Sequence, residues 1–346
     1  MTTVLAIGDP HFQTTNVPEV DLFIERIVAV AEERKPDFII CLGDLLHTHA
    51  TLDTTPLNKA YEFAQKLKVI APMYILVGNH DYINNQQFLT SNHWMNAMKD
   101  WDNMTIVDTV QHLTTDDAHL VLCPYVPNGK FKEALNTSDE DWTDANMIFA
   151  HQEFFGCKMG AIVSVDGDKW TDTNPQVVSG HIHDKQTPQP NVYYTGSSMQ
   201  HAFGESGKKT VAFITVESSR HKVDEINLEL PKKKIVYMDV EALDDYVLPE
   251  TDDKIKVTVS GSYDEFKAIK KTKKYKKLVK KGIKVVFKPK KVKQTDAGQP
   301  EITATDFDNI LTEIVTHQQD PYLQQAFELV VHSKQIDEDV MFLWTR

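Results

Sequence analysis

The chain has 346 residues, 41% of them hydrophobic, and a formal net charge of −13 at pH 7. That size suits one large domain with smaller appendages, and the apolar content excludes a disordered chain. Three cysteines (Cys41, Cys123, Cys157) without metal-type spacing argue against a disulfide scaffold, and the start MTTVLAIGDP lacks the basic and apolar regions of a secretion signal.

Residues 3–7 (TVLAI) read as a strand that runs into Gly8-Asp9. Pro18 opens a helix with Leu22, Phe23, Ile27, Val30 and Ala31 on one face. Residues 37–42 (DFIICL) form a second strand, again ending in Gly-Asp, and a helix follows from Pro56 to about Val69. Residues 73–77 (MYILV) form a third strand, ending in Gly78-Asn79-His80-Asp81. This alternation predicts parallel strands with flanking helices. Further strands at 118–123, 146–150, 176–178, 192–195 and 210–216, with few helices among them, predict a second sheet and a layered α/β sandwich.

The composition changes near Pro231. Residues 254–293 hold sixteen lysines against two acids, Asp264 and Glu265, so this stretch is +14 and the remainder −27. Strands at 255–259 and 283–287 around a lysine-rich helix at 263–280 predict a small β-α-β module. Residues 293–299 read as a linker. Two amphipathic helices finish the chain: Phe307, Ile310, Leu311, Ile314 and Val315 share one face, and Leu323, Ala326, Phe327, Val330 and Val331 another, with Asp320 as N-cap and Pro321 in the first turn. The expected division is a catalytic domain (1–230), a lysine-rich cap (231–293) and a linker with C-terminal helices (294–346). No stretch is long and apolar enough for a transmembrane helix, so a cytoplasmic or host-interior protein, not secreted, is expected.

The predicted strand ends carry metal-capable side chains: Asp9 and His11, Asp44, Asn79 with His80, then His151, His181 and His183. In an α/β sheet the carboxyl ends of the strands share one edge, so residues far apart in sequence can converge there. Aspartate, asparagine and neutral imidazole suit manganese, iron or zinc. Two such cations about 3.5–4 Å apart clamp a phosphate and activate water. Asp44 is the natural bridge between them.

Asp-x-His, Gly-Asp-x-x-His, Gly-Asn-His-Asp, a lone His and Gly-His-x-His, in this order over about residues 1–205, resemble the calcineurin-like metallophosphoesterases. The resemblance implies an α/β/β/α sandwich with two divalent metal ions, manganese being the expected metal. Asp9, His11 and His183 with shared Asp44 would hold one ion; Asn79, His151 and His181 with Asp44 would hold the other. His80 would stand beside the phosphate and stabilise the transition state or protonate the leaving oxygen. Where phosphoprotein phosphatases continue the second motif with Asp-Arg-Gly, this chain reads Gly43-Asp-Leu-Leu-His-Thr-His-Ala50. A histidine at position 47 is similar to the double-strand-break nucleases of the SbcD and meiotic-recombination-eleven group, phage and viral subunits included, and by that resemblance would orient a phosphodiester. The segment from Tyr194 to Glu205 is similar to their Pro-Gly-Ser…Gly-Glu stretch, although Thr195 replaces the proline.

The resemblance further implies a manganese-dependent 3′-to-5′ exonuclease and endonuclease. Its partners would be DNA and an SMC-like ABC ATPase of the SbcC type, gripped by the C-terminal helices. Lys270, Lys271, Lys273, Lys274, Lys276 and Lys277 would neutralise DNA phosphates; the competing reading is a solvated face. Phe88, Trp94, Met95 and Met98 on a helix would either join a homodimer or pack in the core. His49 and His201 are expected to be structural or solvated, and His93, His112, His119, His221, His317 and His332 to lie on the surface. Because the seven metal ligands would serve a small-molecule or protein phosphoesterase equally well, that function is the alternative. An inactive scaffold is disfavoured because no ligand is missing.

Overall fold

A two-residue alternation explains why the central strands are apolar on both faces. In β1 (Thr2–Ile7), Val4 and Ala6 belong to one core layer and Leu5 and Ile7 to another. Residues of β2 (Phe38–Cys41) and β3 (Met73–Leu76) divide in the same way. A strand with a covered layer on each side has no solvent face for polar residues, hence the unbroken runs. The computed structural model describes residues 1–217, 220–290, 312, 314–315 and 321–327, in two compact units, Met1–Pro289 and Lys290–Arg346.

Between these strands lie α1 (Val17–Arg34) and α2 (Thr54–Lys68). After β3 come β4 (Met104–Val107), β5 (Gln111–Thr114), β6 (His119–Cys123), the short helix α3 (Phe131–Leu135), β7 (Met147–His151), and the hairpin β8 (Lys158–Met159) and β9 (Ile162–Val163). Next are β10 (Gln176–Gly180), β11 (Gln186–Gln189), β12 (Val192–Tyr194), β13 (Val211–Glu217) and β14 (Arg220–Ile226). One six-stranded sheet runs β14-β13-β1-β2-β3-β4 and the other β11-β12-β10-β7-β6-β5. β1 to β4 are mutually parallel, as are β6, β7, β10 and β12; β13 runs antiparallel to β1 and β14 antiparallel to β13, while β5 and β11 pair antiparallel at the two edges of the second sheet.

The sheets stack face to face over Val4, Ile40, Leu76, Leu122, Phe149 and Ile214. On the first sheet's outer face α1 and α2 bury Phe23 and Phe63, stacked with ring centroids 5.9 Å apart. Fully burying each ring contributes about 1.5–3 kcal/mol. The second sheet's outer layer is thin: α3 supplies Phe131, and loops supply Trp142, Phe154 and Trp170. This is the α/β/β/α sandwich anticipated from the motifs.

The lysine-rich region has its own core around Leu243, Val257, Val259 and Phe266. It contains β15 (Lys233–Asp239), β16 (Lys254–Gly261), α4 (Tyr263–Ile269), α5 (Lys273–Lys280) and β17 (Lys284–Pro289), with a parallel sheet ordered β15-β16-β17. The single helix expected over 263–280 is therefore two. Ser262 and Glu265 form a reciprocal capping box at the start of α4, and Thr272 accepts from the Tyr275 amide to begin a new helix. β15 is an additional strand, an apolar run at residues 235–238 flanked by Lys233, Lys234 and Asp239.

The second unit is described only in part: Thr312, Ile314 and Val315 are helical, and α6 spans Pro321–Phe327. The linker at 293–299 and Phe307, Ile310, Leu311, Val330, Val331, His317 and His332 lie outside the described residues. No helix among the described residues is long and apolar enough to cross a membrane.

Candidate metal centre

Strand register brings the ligands side by side. Ile7 of β1 pairs with Cys41 of β2, and Cys41 with Ile75 of β3, so Asp9, Asp44 and Asn79 leave one sheet edge together. In the other sheet His151 pairs with Gly180, which puts His151 next to His181. The two edges are bonded across the sandwich: His151 Nδ1 donates to the Leu42 carbonyl at 2.7 Å, and the His181 amide to Asp9 Oδ1 at 2.8 Å.

The turns that aim these side chains are strained. Asp9 (φ 40°), His11 (46°), Asp44 (51°) and His181 (80°) all occupy the left-handed region, which costs a non-glycine residue about 1–3 kcal/mol. Gly43 takes φ 103° outright. At Gly78 a Cβ would lie 2.3 Å from both the amide nitrogen and Oδ1 of Asp44, so only glycine permits the approach. Asp81 ties these two turns together. Its buried carboxylate accepts from the Gly78 amide at 3.0 Å, more weakly from Leu45 and Leu46 at 3.4 Å, and from Trp94 Nε1 at 3.0 Å. Burial, then the charge of Asp44, raises its pKa to about 7.

The seven predicted ligands converge. Asp9, His11 and Asp44 present ligand atoms within 4.8 Å of one another, and so do Asp44, His151 and His181. Asn79 Oδ1 is 2.9 Å from both His151 Nε2 and His181 Nδ1. His11 Nε2 and His183 Nε2 are 3.0 Å apart. Asp44 belongs to both groups, as a bridge requires. The donor set fits two divalent cations on an independent observation too: Asp9 Oδ2 is buried and has no hydrogen-bond partner among the described residues.

The electrostatics keep lone pairs available. Burial holds His11 well below the usual imidazole range, and burial followed by the charge of His151 lowers His181 to about 3, so both are neutral at pH 7. Burial alone would lower His151, but the charge of Asp44 and its hydrogen bond raise it to about 9.

His80 is half-buried between two other rings, with His49 at 4.4 Å and His47 at 5.7 Å, both near-parallel to it. Its Nδ1 donates to the His47 carbonyl at 2.5 Å, which leaves Nε2 to hold or deliver a proton. His47 Nδ1 is 3.4 Å from His11 Nδ1, so the ring borders the centre.

A family model described as calcineurin-like phosphoesterase matches residues 2–185. "Putative phosphoesterase 078R" of Invertebrate iridescent virus 3 is 48% identical over 318 residues, 90% of this chain and 92% of its own. "Putative phosphoesterase 244L" of Invertebrate iridescent virus 6 is 47% identical over 279 residues, 78% of this chain and 98% of its own. This chain belongs to the calcineurin-like phosphoesterases. Among solved structures, GAP50 of Plasmodium aligns over 65% of this chain and 88% of its own at 15% identity and TM-score 0.40. Yfce, a phosphoesterase from E. coli, aligns over 66% and 100% at 10% identity and TM-score 0.33. Likenesses of that size carry no functional information.

Divalent cations held here by Asp9, His11, Asp44, Asn79, His151, His181 and His183 would supply charge neutralisation for a phosphate and would acidify water. The protein's own part is to hold these imidazoles and carboxylates in place on strained turns and to keep His80 beside them.

Several residues sharpen or depart from what the sequence suggested. His201, expected to be structural or solvated, is half-buried at the centre, with Nε2 2.9 Å from the Asp9 carbonyl oxygen. His49 stacks on His80. His93 is not a surface residue: its side chain is fully enclosed and sits 3.1 Å from Asp108. His112 is likewise enclosed, against His119 at 2.8 Å, and His119 is only partly exposed, while His221 does lie on the surface. Trp94–Met98 is a 3-10 turn with Met95 and Met98 fully buried, and Phe88 packs against the second core outside any helix. His93 and His112 stand in no motif that would have marked them, whereas His49 and His201 lie within the motif-bearing stretches 43–50 and 194–205 without being ligand positions of the motifs.

Proposed function

We propose that the phosphoester cleaved by this enzyme is the backbone phosphodiester of DNA, with the lysine-rich module as the phosphate-binding surface. The observation that carries this reading is where the module attaches. Lys233, at the start of β15, donates from Nζ to the carbonyls of Gln200 and His201 at 2.7 and 2.8 Å, and from its amide to Gln200 Oε1 at 2.7 Å. Lys256 Nζ lies 5.7 Å over the ring of Phe203. Phe203, with His181 and His183, lines a cleft of about 580 Å³. The cationic module thus borders the metal centre. Lys270, Lys271, Lys273, Lys276 and Lys277 are exposed and Lys274 half-buried, and none of the six pairs with a carboxylate among the described residues. Cations without carboxylate partners, on a module attached next to a phosphoesterase centre, suit a polyanion.

On this reading His80 serves the leaving oxygen and His47 the diester, manganese is one metal that would support cutting, and the C-terminal helices would engage an SMC-like ATPase. A second reading, a small-molecule or protein phosphoesterase, draws support from the viral relatives, whose names specify phosphoesterase and no nucleic acid. The deciding experiment is cleavage of an end-labelled duplex with manganese across a salt series, alongside a nitrophenyl phosphodiester. DNA cutting that falls steeply with salt and disappears in His80→Ala supports the nuclease. Intact DNA with turnover of the nitrophenyl ester replaces it with the small-substrate reading.

A further inference from the structure

His201 lies outside the motifs of the metal centre, yet it is built into that centre. Its ring centroid is 4.9 Å from that of His11 and 5.1 Å from that of His183. One nitrogen of each of the three lies within 4.8 Å of the others. The Asp9 carbonyl can only accept, so Nε2, 2.9 Å away, carries the proton. Nδ1 is then the lone-pair nitrogen, and it is buried without a hydrogen-bond partner among the described residues. Buried polar atoms are ordinarily satisfied, and an imidazole whose tautomer is fixed by a carbonyl is the usual form of a metal ligand.

We propose that His201 is an additional nitrogen ligand of the metal held by Asp9, His11, His183 and Asp44. The loop that carries it is pinned for the purpose. The His201 amide donates to Glu205 Oε2 at 3.0 Å, and its carbonyl accepts from Lys233. A third imidazole makes this site richer in nitrogen. Nitrogen donors favour zinc, ferrous iron or cobalt, whereas manganese prefers oxygen. The site should therefore discriminate against manganese, the metal expected from the family resemblance. This inference rests on the two-metal reading and is independent of the DNA assignment.

The competing role for His201 is positioning alone, with its N–H steadying the strained Asp9 turn. The full-length protein, His201→Ala and His201→Gln separate the two, because glutamine retains an N–H donor. Zinc and manganese affinities are measured by competition with a chromophoric chelator, and the visible spectrum is recorded with cobalt. If His201 ligates, both variants lose zinc affinity at one site by about tenfold or more, lose less for manganese, and shift the cobalt bands. Wild-type zinc affinity and cobalt bands in His201→Gln overturn the proposal, whether or not His201→Ala is weakened. Should both variants misfold, a zinc-loaded wild-type crystal decides: Nδ1 at about 2.0–2.1 Å from zinc supports ligation, and a metal beyond bonding distance overturns it. Wild type that binds no divalent metal would instead remove the two-metal reading itself.

Discussion

The metal centre and the lysine-rich module belong to one compact unit, Met1–Pro289, yet hold their polar side chains in opposite ways. At the centre Asp9, His11, Asp44 and His181 are drawn from distant strand ends and set on left-handed backbone, and Asp9, His11 and Asp44 are buried. Such an arrangement survives only if its surroundings over-determine it. In the module Lys267, Lys273, Lys274, Lys276, Lys277 and Lys280 lie on two short helices with conventional caps, Lys270 and Lys271 lie between the helices, most of these are exposed, and no strain is needed to present them. Chemistry that needs ångström placement is built from tertiary constraints, whereas a sequence-independent charge surface is built from local ones.

The most damaging test of this contrast is Gly78→Ala. Its Cβ would meet the amide and carboxylate of Asp44 at 2.3 Å, so the two turns must part. Turnover should fall on the order of 100-fold, since a 1 Å misplacement suffices, with a stability loss of about 1–3 kcal/mol. Metal content, turnover and thermal unfolding read this out, and unchanged values would mean that the centre does not depend on tight packing of its turns.

An intermediate effect, confined to binding, is expected when Lys270, Lys271, Lys273, Lys274, Lys276 and Lys277 are all changed to glutamine. Unfolding should move by no more than roughly 0.5 kcal/mol per exposed site, and nitrophenyl ester turnover should be unchanged. DNA affinity should fall, and its log–log salt slope should flatten by about 0.9 for each phosphate no longer neutralised. A slope equal to that of wild type would make these lysines a solubilising face.

The smallest effect belongs to Ser262→Ala, which removes one half of the capping box. A loss of about 1 kcal/mol is expected, local to the module and visible as faster hydrogen exchange in α4, with metal content unaltered. A change in metal content would show that the module's fold and the centre are coupled more tightly than the contrast supposes.

Legibility followed the same division. β1 to β3 and their site residues could be read directly, because unbroken apolar runs end in Gly-Asp or Gly-Asn. β4, β5, β11 and β14 could not, being short or polar strands whose partners supply what their own residues lack. The break between α4 and α5 was masked by lysines on both sides of Thr272, a cap visible only once its hydroxyl meets the Tyr275 amide.

The sequence by itself determined the metal-ligand chemistry, the charge asymmetry and the layered α/β class, since each depends on residue type and spacing along the chain. Only the tertiary structure decided that Asp81 clamps two turns, that His93 and His112 are enclosed, and that His201 enters the centre. Burial and hydrogen-bond partners are properties of neighbours in space, and these neighbours lie up to 192 residues apart in the chain.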